Sequence, residues 1–326
     1  MKFLDELYKN DRMMKCDQEE LSKKTGIGVS VIKNIESCRK RISPTHEQFA
    51  LMCNSIGLDP YKYFTKNSKV LTCLSNKGGS TKTSTISGLA YSLAYSYGKK
   101  ILLIDTDLQQ NLTQNFCVLP DDEKNFYNAF VRGENIRNHI RPTAYDNIDI
   151  VTGNDKLAIL DREITKIDYR EYIMGDILKE VKESSEYDFI LIDCNPSLNV
   201  VNVSCLMATD GLIIPIIPSS FGKNGLDLIV DFYNGVHPRA NNLNLLGVVI
   251  NRYDMRKKKP KDIIQTVKEK FGKASIVFET MIPEDSSVDN SQGTFEPVGA
   301  AFPKSRASVA FNGLAEEVIK RAERIW

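Results

Sequence analysis

Hydrophobic and polar positions set two rhythms along the chain, and the change falls near residue 69. Before it, short helical patterns follow one another with no strand between them. They cover Phe3 to about Tyr8, Gln18 to Lys24, about Val29 to Ser37, and Pro44 to Ile56, with a turn at Thr25-Gly26-Ile27-Gly28. Pro44 suits a first helical position, and Gly57 stops the helix that it opens. Leu21, Ile27, Val29, Ile32, Ile35, Phe49 and Ile56 are spaced to share one small core. From Val70 the rhythm becomes strand then helix. Apolar runs predict strands at 70–75, 101–105, 148–152, 188–193, 211–217, 245–250 and 276–282, with helical patterns between most of them. Lys100-Ile-Leu-Leu-Ile-Asp105 and Phe189-Ile-Leu-Ile-Asp193 are near-continuous apolar runs, the pattern of strands covered on both faces. Such alternation predicts an α/β fold: a mostly parallel, doubly wound sheet with right-handed crossovers. The expected organisation is a small all-α domain over 1–65, a polar linker at 66–69, and a sheet domain over 70–326.

Composition narrows the function classes. The chain has 326 residues, 42% hydrophobic and 26% charged, an ordinary globular balance with room for two domains. No apolar run approaches the 18 or more residues of a membrane span, and the charged start, MKFLDELYKNDRMMK, does not read as a secretory signal. Seven cysteines (16, 38, 53, 73, 117, 194, 205) are scattered and never form C-x-x-C, which argues for a reducing compartment without a disulfide framework, zinc ribbon or iron–sulfur cradle. A cytoplasmic protein is expected. The histidines at 46, 139 and 237 are isolated and suggest neither metal nor triad.

The formal net charge of +1 excludes a uniformly basic protein but hides an uneven distribution. Residues 1–69 hold 13 Lys+Arg against 9 Asp+Glu, and 252–273 hold nine basic residues against three acidic ones. Residues 279–296 hold five acidic residues and no basic one. Basic regions in a neutral protein point to a local nucleic-acid surface, although a Lys run is also how a solvated helix face looks.

The sharpest chemical signal is Ser75-Asn76-Lys77-Gly78-Gly79-Ser80-Thr81-Lys82-Thr83-Ser84, set between a strand and a helical run. A loop there aims backbone N–H groups and a helix N-terminus at an anion. Lys82 is placed to neutralise β/γ-phosphates and the Thr83 hydroxyl to ligate Mg2+. The strict pattern G-x-x-x-x-G-K-[ST] fails at Asn76 and Thr81. Asp105 and Asp193 stand at the ends of predicted strands, where carboxylates of open α/β sheets face the ligand crevice. Together with the loop they make a hard-oxygen site suited to Mg2+ and phosphate.

The loop fits K-G-G-x-x-K-T-[ST] and resembles the deviant phosphate loop of the ParA/MinD group of ATPases. The resemblance implies a P-loop sheet domain that binds ATP and Mg2+ through Lys77, Gly78, Gly79, Ser80, Thr81, Lys82, Thr83 and Ser84. Lys77 stands at the signature lysine, which reaches across an ATP-bridged homodimer to the partner's nucleotide. Thr81 stands where the group usually has Gly, so a side chain crowds the loop. Asp105-Thr-Asp107-Leu-Gln109 looks like the group's D-x-D-x-Q motif: Asp105 is expected to position the attacking water, and Asp107 to support it and the Mg2+ shell. Tyr187 to Asp193 looks like the Walker B strand, with Asp193 holding Mg2+ through water. Ala208 to Gly222 resembles the stretch that follows. Leu246 to Arg256 resembles the adenine-side strand, with Asn251 contacting the base and Arg252 beside it, and Met281-Ile282-Pro283 resembles the element that flanks the adenine.

Residues 1–65 resemble an Xre/Cro-type helix-turn-helix through Gln18, Leu21, Ser22, Gly26, Val29, Ile32, Ile35, Glu36, Arg39, Arg41 and Pro44, with Cys38 where Gly is common. In such a module the helix near 29–37 enters the major groove. Ser30, Lys33 and Asn34 would face bases or phosphates, and Gln18, Arg39 and Arg41 the backbone. A protein-interaction helical domain shares this pattern. Some ParA-type partition ATPases carry such an N-terminal module. The combined resemblance implies nucleotide-dependent dimerisation, binding to non-specific duplex DNA on the nucleoid, hydrolysis stimulated by a ParB-like adaptor, and an operator as a second DNA target. Arg256, Lys257, Lys258, Lys259 and Lys261 are the candidates for the non-specific surface, since phosphate contacts need charge and little else. Glu284-Asp285-Ser-Ser-Val-Asp289 is acidic where related proteins are usually basic. An ATP-gated, operator-specific transcriptional repressor shares every motif and is the alternative. A MinD-like membrane protein fits less well, because Glu316, Glu317 and Glu323 in the last helix suit a membrane surface poorly. A NifH-like reductase lacks its cluster cysteines.

Overall fold

Seven strands form one sheet in the order β3-β4-β2-β5-β1-β6-β7. The computed structural model describes residues 18–30, 32, 67–75, 81–116, 119, 123–218, 223–240, 242–254, 261–271 and 276–325. The chain separates into two units, Met1–Lys66 and Asn67–Trp326.

In the first unit, helix α1 spans Gln18–Thr25 and ends at Gly26, whose φ of 72° puts it in the left-handed region open to glycine. The turn is tied by Gly26 N–H to Ser22 O at 2.9 Å and by the Ser22 hydroxyl to Ile27 O at 2.7 Å. Ile27 and Ile32 are buried, and helical backbone resumes at 29–30. The helices expected at Phe3–Tyr8 and Pro44–Ile56, and most of the one after Val29, lie outside the described residues. So do Lys33, Asn34, Arg39 and Arg41, as well as the Gln18 side chain; Ser30 is exposed.

In the second unit the chain runs β1 (Lys69–Cys73), α2 (Lys82–Tyr97), β2 (Ile101–Asp105), α3 (Asn111–Asn115), α4 (Phe126–Arg132), β3 (Arg141–Pro142) and β4 (Ile148–Val151). It continues through α5 (Leu160–Ile164), α6 (Ile173–Ser184), β5 (Phe189–Asp193), α7 (Val200–Ala208), β6 (Gly211–Ile216), α8 (Lys223–Val236) and β7 (Asn244–Ile250). It closes with α9 (Lys261–Phe271), α10 (Ser286–Gly293), α11 (Val298–Ala301) and α12 (Arg306–Ile325). All pairings are parallel except β3 with β4. Every residue of β2 and β5 is buried. Leu102, Ile104, Ile190 and Ile192 enter one core, and Ile101, Leu103, Phe189 and Leu191 enter the other, as a sheet sandwiched between helices requires.

Two departures from the expected pattern have local causes. The run 276–282 is not a strand: it touches the sheet through isolated bridges at Val248/Val277 and Tyr253/Pro283. On α12, Glu317 accepts the N–H groups of Glu279 (2.9 Å) and Thr280 (2.6 Å) and the Arg321 guanidinium takes the Val277 carbonyl (2.9 Å), so these groups are not free to form a ladder. The antiparallel pair β3 is only two residues long, too short to leave an apolar signature. The last helix packs on the sheet domain with Phe311, Leu314, Ala315, Val318 and Ala322 buried. A Cβ at Gly88 would stand 2.6 Å from the Phe311 ring, so α2 and α12 approach too closely for a larger residue. Among the aromatic residues, Phe126, Phe130 and Tyr127 are core, whereas Tyr95 is 49% exposed and stacks on Tyr91 at 4.4 Å. Cys194 is fully buried, as packing requires.

Candidate functional site

The chain leaves β1 toward β2 on one side and later enters β6 on the other, so the strand order reverses at β1 and β5. Ligands of open α/β sheets bind outside the C-terminal ends of the strands at such a point. Here Asp105 and Asp193 end β2 and β5 in register with each other, and Cys73 ends β1 beside Asp193.

Above these ends lies a cleft of about 650 Å³. Its walls include Thr81, Lys82, Thr83 and Ser84 at the start of α2, Asp107 after β2, Asn195 to Ser197 after β5, Arg252 after β7, and the helix α10. The first turn of α2 therefore points its N–H groups and positive dipole end into the cleft. Asn76 to Ser80, and with them Lys77, Gly78, Gly79 and Ser80, lie outside the described residues.

Thr81 has φ 71°, the left-handed region that a β-branched residue rarely adopts. Its carbonyl is held there by the Thr85 N–H (2.9 Å) and hydroxyl (2.6 Å) and by the Ser84 hydroxyl (3.1 Å). Arg252 and Phe295 on the same cleft are also left-handed, with φ of 51° and 58°. Strained backbone of this kind gathers at functional sites.

Lys82 is buried. The Thr83 hydroxyl donates to Asp193 Oδ2 at 2.7 Å, while Asp193 Oδ1 is buried with no hydrogen-bond partner among the described residues. An orphaned carboxylate oxygen beside a hydroxyl whose hydrogen is already committed is a donor set suited to a hard divalent cation and its waters. Among the described residues no group of three or more His, Cys, Asp or Glu holds a metal by itself. Burial and the neighbouring Asp105 charge push the Asp193 carboxyl up to about 8, against the Thr83 hydroxyl and Lys82. A bound cation would reverse that balance and keep it ionised.

The two carboxylates of the D-x-D stretch are placed differently. Asp105 is fully buried and its oxygens are engaged: Oδ2 accepts from Thr113 N–H (2.9 Å) and hydroxyl (2.7 Å), and Oδ1 from Asp107 N–H (3.1 Å). Burial raises its carboxyl to about 6 in spite of those three donors. Asp107 lines the cleft, and only its Oδ1 accepts a hydrogen bond among the described residues, from Gln109 N–H at 3.1 Å.

On the far wall, Asn251 is buried and its amide donates to Thr85 on α2 at 2.9 Å. Arg252 holds both oxygens of Asp289 on α10, at 2.8 and 2.9 Å. Pro283 is buried beside Tyr253. Part of the acidic stretch thus has structural partners, since Asp285 also caps α10 through Ser287 N–H at 3.1 Å. The sequence pattern gave Asp289 and Thr113 no role. Thr113 stands eight residues after Asp105, and Asp289 meets Arg252 across 37 residues with no local signal. Arg256, Lys257, Lys258 and Lys259 lie outside the described residues; Lys261 opens α9, and its side chain is likewise outside them.

The profile of the AAA domain family matches residues 68–245, more than half of the chain. The sporulation initiation inhibitor protein Soj of Bacillus subtilis is 30% identical over 252 residues, covering 77% of this chain and 98% of Soj. The chain belongs to the ParA/MinD-type P-loop ATPases. Another member, the chromosome partitioning protein ParA of Caulobacter vibrioides, is 28% identical over 78% of this chain and 94% of its own. Among solved ParA/MinD-type structures, MinD of Pyrococcus horikoshii, complexed with Mg-ADP, superposes with a TM-score of 0.63 at 25% identity, covering 79% of this chain and 99% of its own. No helix of the described residues is long and apolar enough to cross a membrane.

Proposed function

We propose that this ParA/MinD-type protein is a partition ATPase: it binds Mg2+-ATP in the cleft, dimerises through the bound nucleotide, and ties DNA binding to nucleotide state. The observation that carries the nucleotide part is the Thr83–Asp193 bond with the orphaned Asp193 oxygen beside it. Lys82 neutralises the β/γ-phosphates, and the loop from Lys77 to Ser84 supplies N–H groups. Thr83 and Asp193 would hold Mg2+, which when bound would neutralise charge on the phosphates. Asp107, the carboxylate on the cleft wall, accepts a hydrogen bond from the attacking water, with Asp105 as the support beneath it. That exchanges the duties expected of the two from sequence. Lys77 serves the partner's nucleotide across the dimer, and Asn251, Arg252 and Pro283 flank the adenine.

The partition part is supported by the similarity to chromosome partitioning proteins ParA, of Caulobacter vibrioides and of Myxococcus xanthus. In this reading Arg256, Lys257, Lys258, Lys259 and Lys261 contact non-specific duplex on the nucleoid. The N-terminal unit reads an operator through Gln18, Ser30, Lys33, Asn34, Arg39 and Arg41, and a ParB-like adaptor stimulates hydrolysis. The test is binding of the full chain to a random-sequence duplex with no nucleotide, with Mg2+-ADP and with Mg2+-ATP at fixed salt. Tight binding only with Mg2+-ATP is expected. Indifference to nucleotide, or no binding to random duplex, contradicts the partition reading and favours an operator-specific regulator.

A further inference from the structure

Beneath the cleft, the end of β2, the helix α3 that follows it and the distant loop after β4 meet in one hydrogen-bonded chain. Gly153, in the loop that leaves β4, donates its N–H to Thr113 Oγ1 at 3.1 Å. The Thr113 hydroxyl donates to Asp105 Oδ2 at 2.7 Å, reinforced by the Thr113 N–H at 2.9 Å. Asp105 Oδ1 then accepts the Asp107 N–H at 3.1 Å. The direction of every hydrogen is fixed. An amide N–H only donates, so the Thr113 oxygen accepts from Gly153 and its single hydrogen must go to Asp105. A second contact ties the same parts together: a Cβ at Gly153 would stand 3.1 Å from the Asp107 carbonyl oxygen, so the β4 loop lies directly against the backbone of Asp107.

We propose that Thr113, backed by Gly153, is a positioning residue for hydrolysis: it holds Asp105 so that Asp105 fixes the turn presenting the Asp107 carboxylate to the nucleotide. The inference rests on the reading of Asp107 as the residue that aligns the attacking water. A carboxylate that aligns a water must be held to a fraction of an ångström, and its supporting shell does the holding. Thr113 and Asp105 are both fully buried, so neither touches the nucleotide and their effect runs through Asp107. Chains of buried hydrogen bonds suit this work because each bond orients the next and no water competes.

The test uses the full chain with Thr113→Val, which keeps the shape and loses the hydroxyl, and Thr113→Ser, which restores it. Single-turnover hydrolysis of Mg2+-ATP is measured with enzyme in excess, alongside affinity for a fluorescent ADP and a thermal melt. Thr113→Val is expected to slow hydrolysis about tenfold with affinity held within about twofold, and Thr113→Ser to recover most of the rate. Wild-type speed in Thr113→Val overturns the proposal, as does a loss of affinity matching the loss of rate, or a Ser variant as slow as the Val variant. If Thr113→Val gives no cooperative melt, Gly153→Ala decides: its methyl presses on the Asp107 carbonyl, so slower hydrolysis with retained affinity is expected and an unchanged rate overturns the brace. A wild-type chain that fails to hydrolyse ATP removes the ATPase reading and the brace with it. A wild type that turns over beside an equally fast Thr113→Val removes the brace alone.

Discussion

Thr83 Oγ1 donates to Asp193 Oδ2 at 2.7 Å, and that one bond fixes where the hydroxyl's lone pairs point. With its hydrogen committed downward to the carboxylate, the oxygen turns its acceptor side to the cleft. A hydroxyl so oriented is a ligand for a cation and no longer a donor to phosphate.

If Thr83 is the proposed cation ligand, replacing it with Ala removes that ligand together with its hydrogen bond to Asp193. Mg2+ affinity in the presence of nucleotide should fall by about 10–100-fold. Nucleotide binding in EDTA should change by no more than about twofold, since the phosphate-binding N–H groups are untouched. Titration of Mg2+ against a fluorescent ADP reads both. Equal Mg2+ dependence in the variant and the wild type would remove Thr83 from the metal site.

The two aspartates of the D-x-D stretch should separate by assay. Asp107→Asn should slow hydrolysis about 100-fold with nucleotide affinity retained. Asp105→Asn puts an amide donor among three donors, those from Thr113 N–H, the Thr113 hydroxyl and Asp107 N–H, and should cost about 1–3 kcal/mol of stability. Chemical denaturation of each variant beside its turnover rate makes the comparison. An Asp105 variant of undiminished stability would show that its hydrogen bonds are dispensable.

The left-handed Thr81 backbone invites relief. A β-branched residue there carries a penalty of about 1–2 kcal/mol, partly offset in a Thr81→Gly variant by the greater freedom of glycine in the unfolded chain. The net expectation is a gain of up to about 1 kcal/mol in the nucleotide-free protein, read as a higher denaturation midpoint. A lower midpoint would mean that the Thr81 side chain makes contacts worth more than its strain.

Histidine 139 supplies a pH dependence away from the cleft. It is buried and accepts the Asn125 N–H on Nδ1 at 3.2 Å. Burial lowers its pKa below the ordinary 6.5, although Glu134, 3.2 Å from Nε2, pulls the other way. The unfolded chain thus takes up the proton first, so stability is lost as pH falls below about 6.5 and levels off below the folded value. His139→Gln, which keeps an acceptor and cannot charge, should flatten the fall in thermal midpoint between neutral and mildly acidic pH. An identical pH profile in both proteins would contradict this.

The strands that place the site were legible because their environment is uniform. β2 and β5 are buried along their whole length, so their sequences carry unbroken apolar runs that end on the carboxylates. The run 276–282 is interrupted by Glu279 and Thr280, whose N–H groups go to Glu317 on α12 while Arg321 takes the Val277 carbonyl, and those long-range contacts do not show in periodicity. The same limit governs the site. Lys82, Thr83 and Asp193 sit in sequence motifs that set them side by side at the C-terminal ends of β1 and β5, where the Thr83 hydroxyl meets Asp193. The separate placements of Asp105 and Asp107 depend on α3 turning Thr113 back beneath β2, a contact that spacing alone does not specify. The Arg252–Asp289 pair depends on α10 folding over the end of β7, which no local pattern encodes.

The most direct test of a Mg2+-ATP site at the ends of β1, β2 and β5 is phosphate release from ATP by the full chain, with Mg2+ and with EDTA, beside Lys82→Ala. The account predicts slow release that requires Mg2+ and is lost in Lys82→Ala together with nucleotide binding. Release that persists in EDTA, or that Lys82→Ala leaves unchanged, would contradict it.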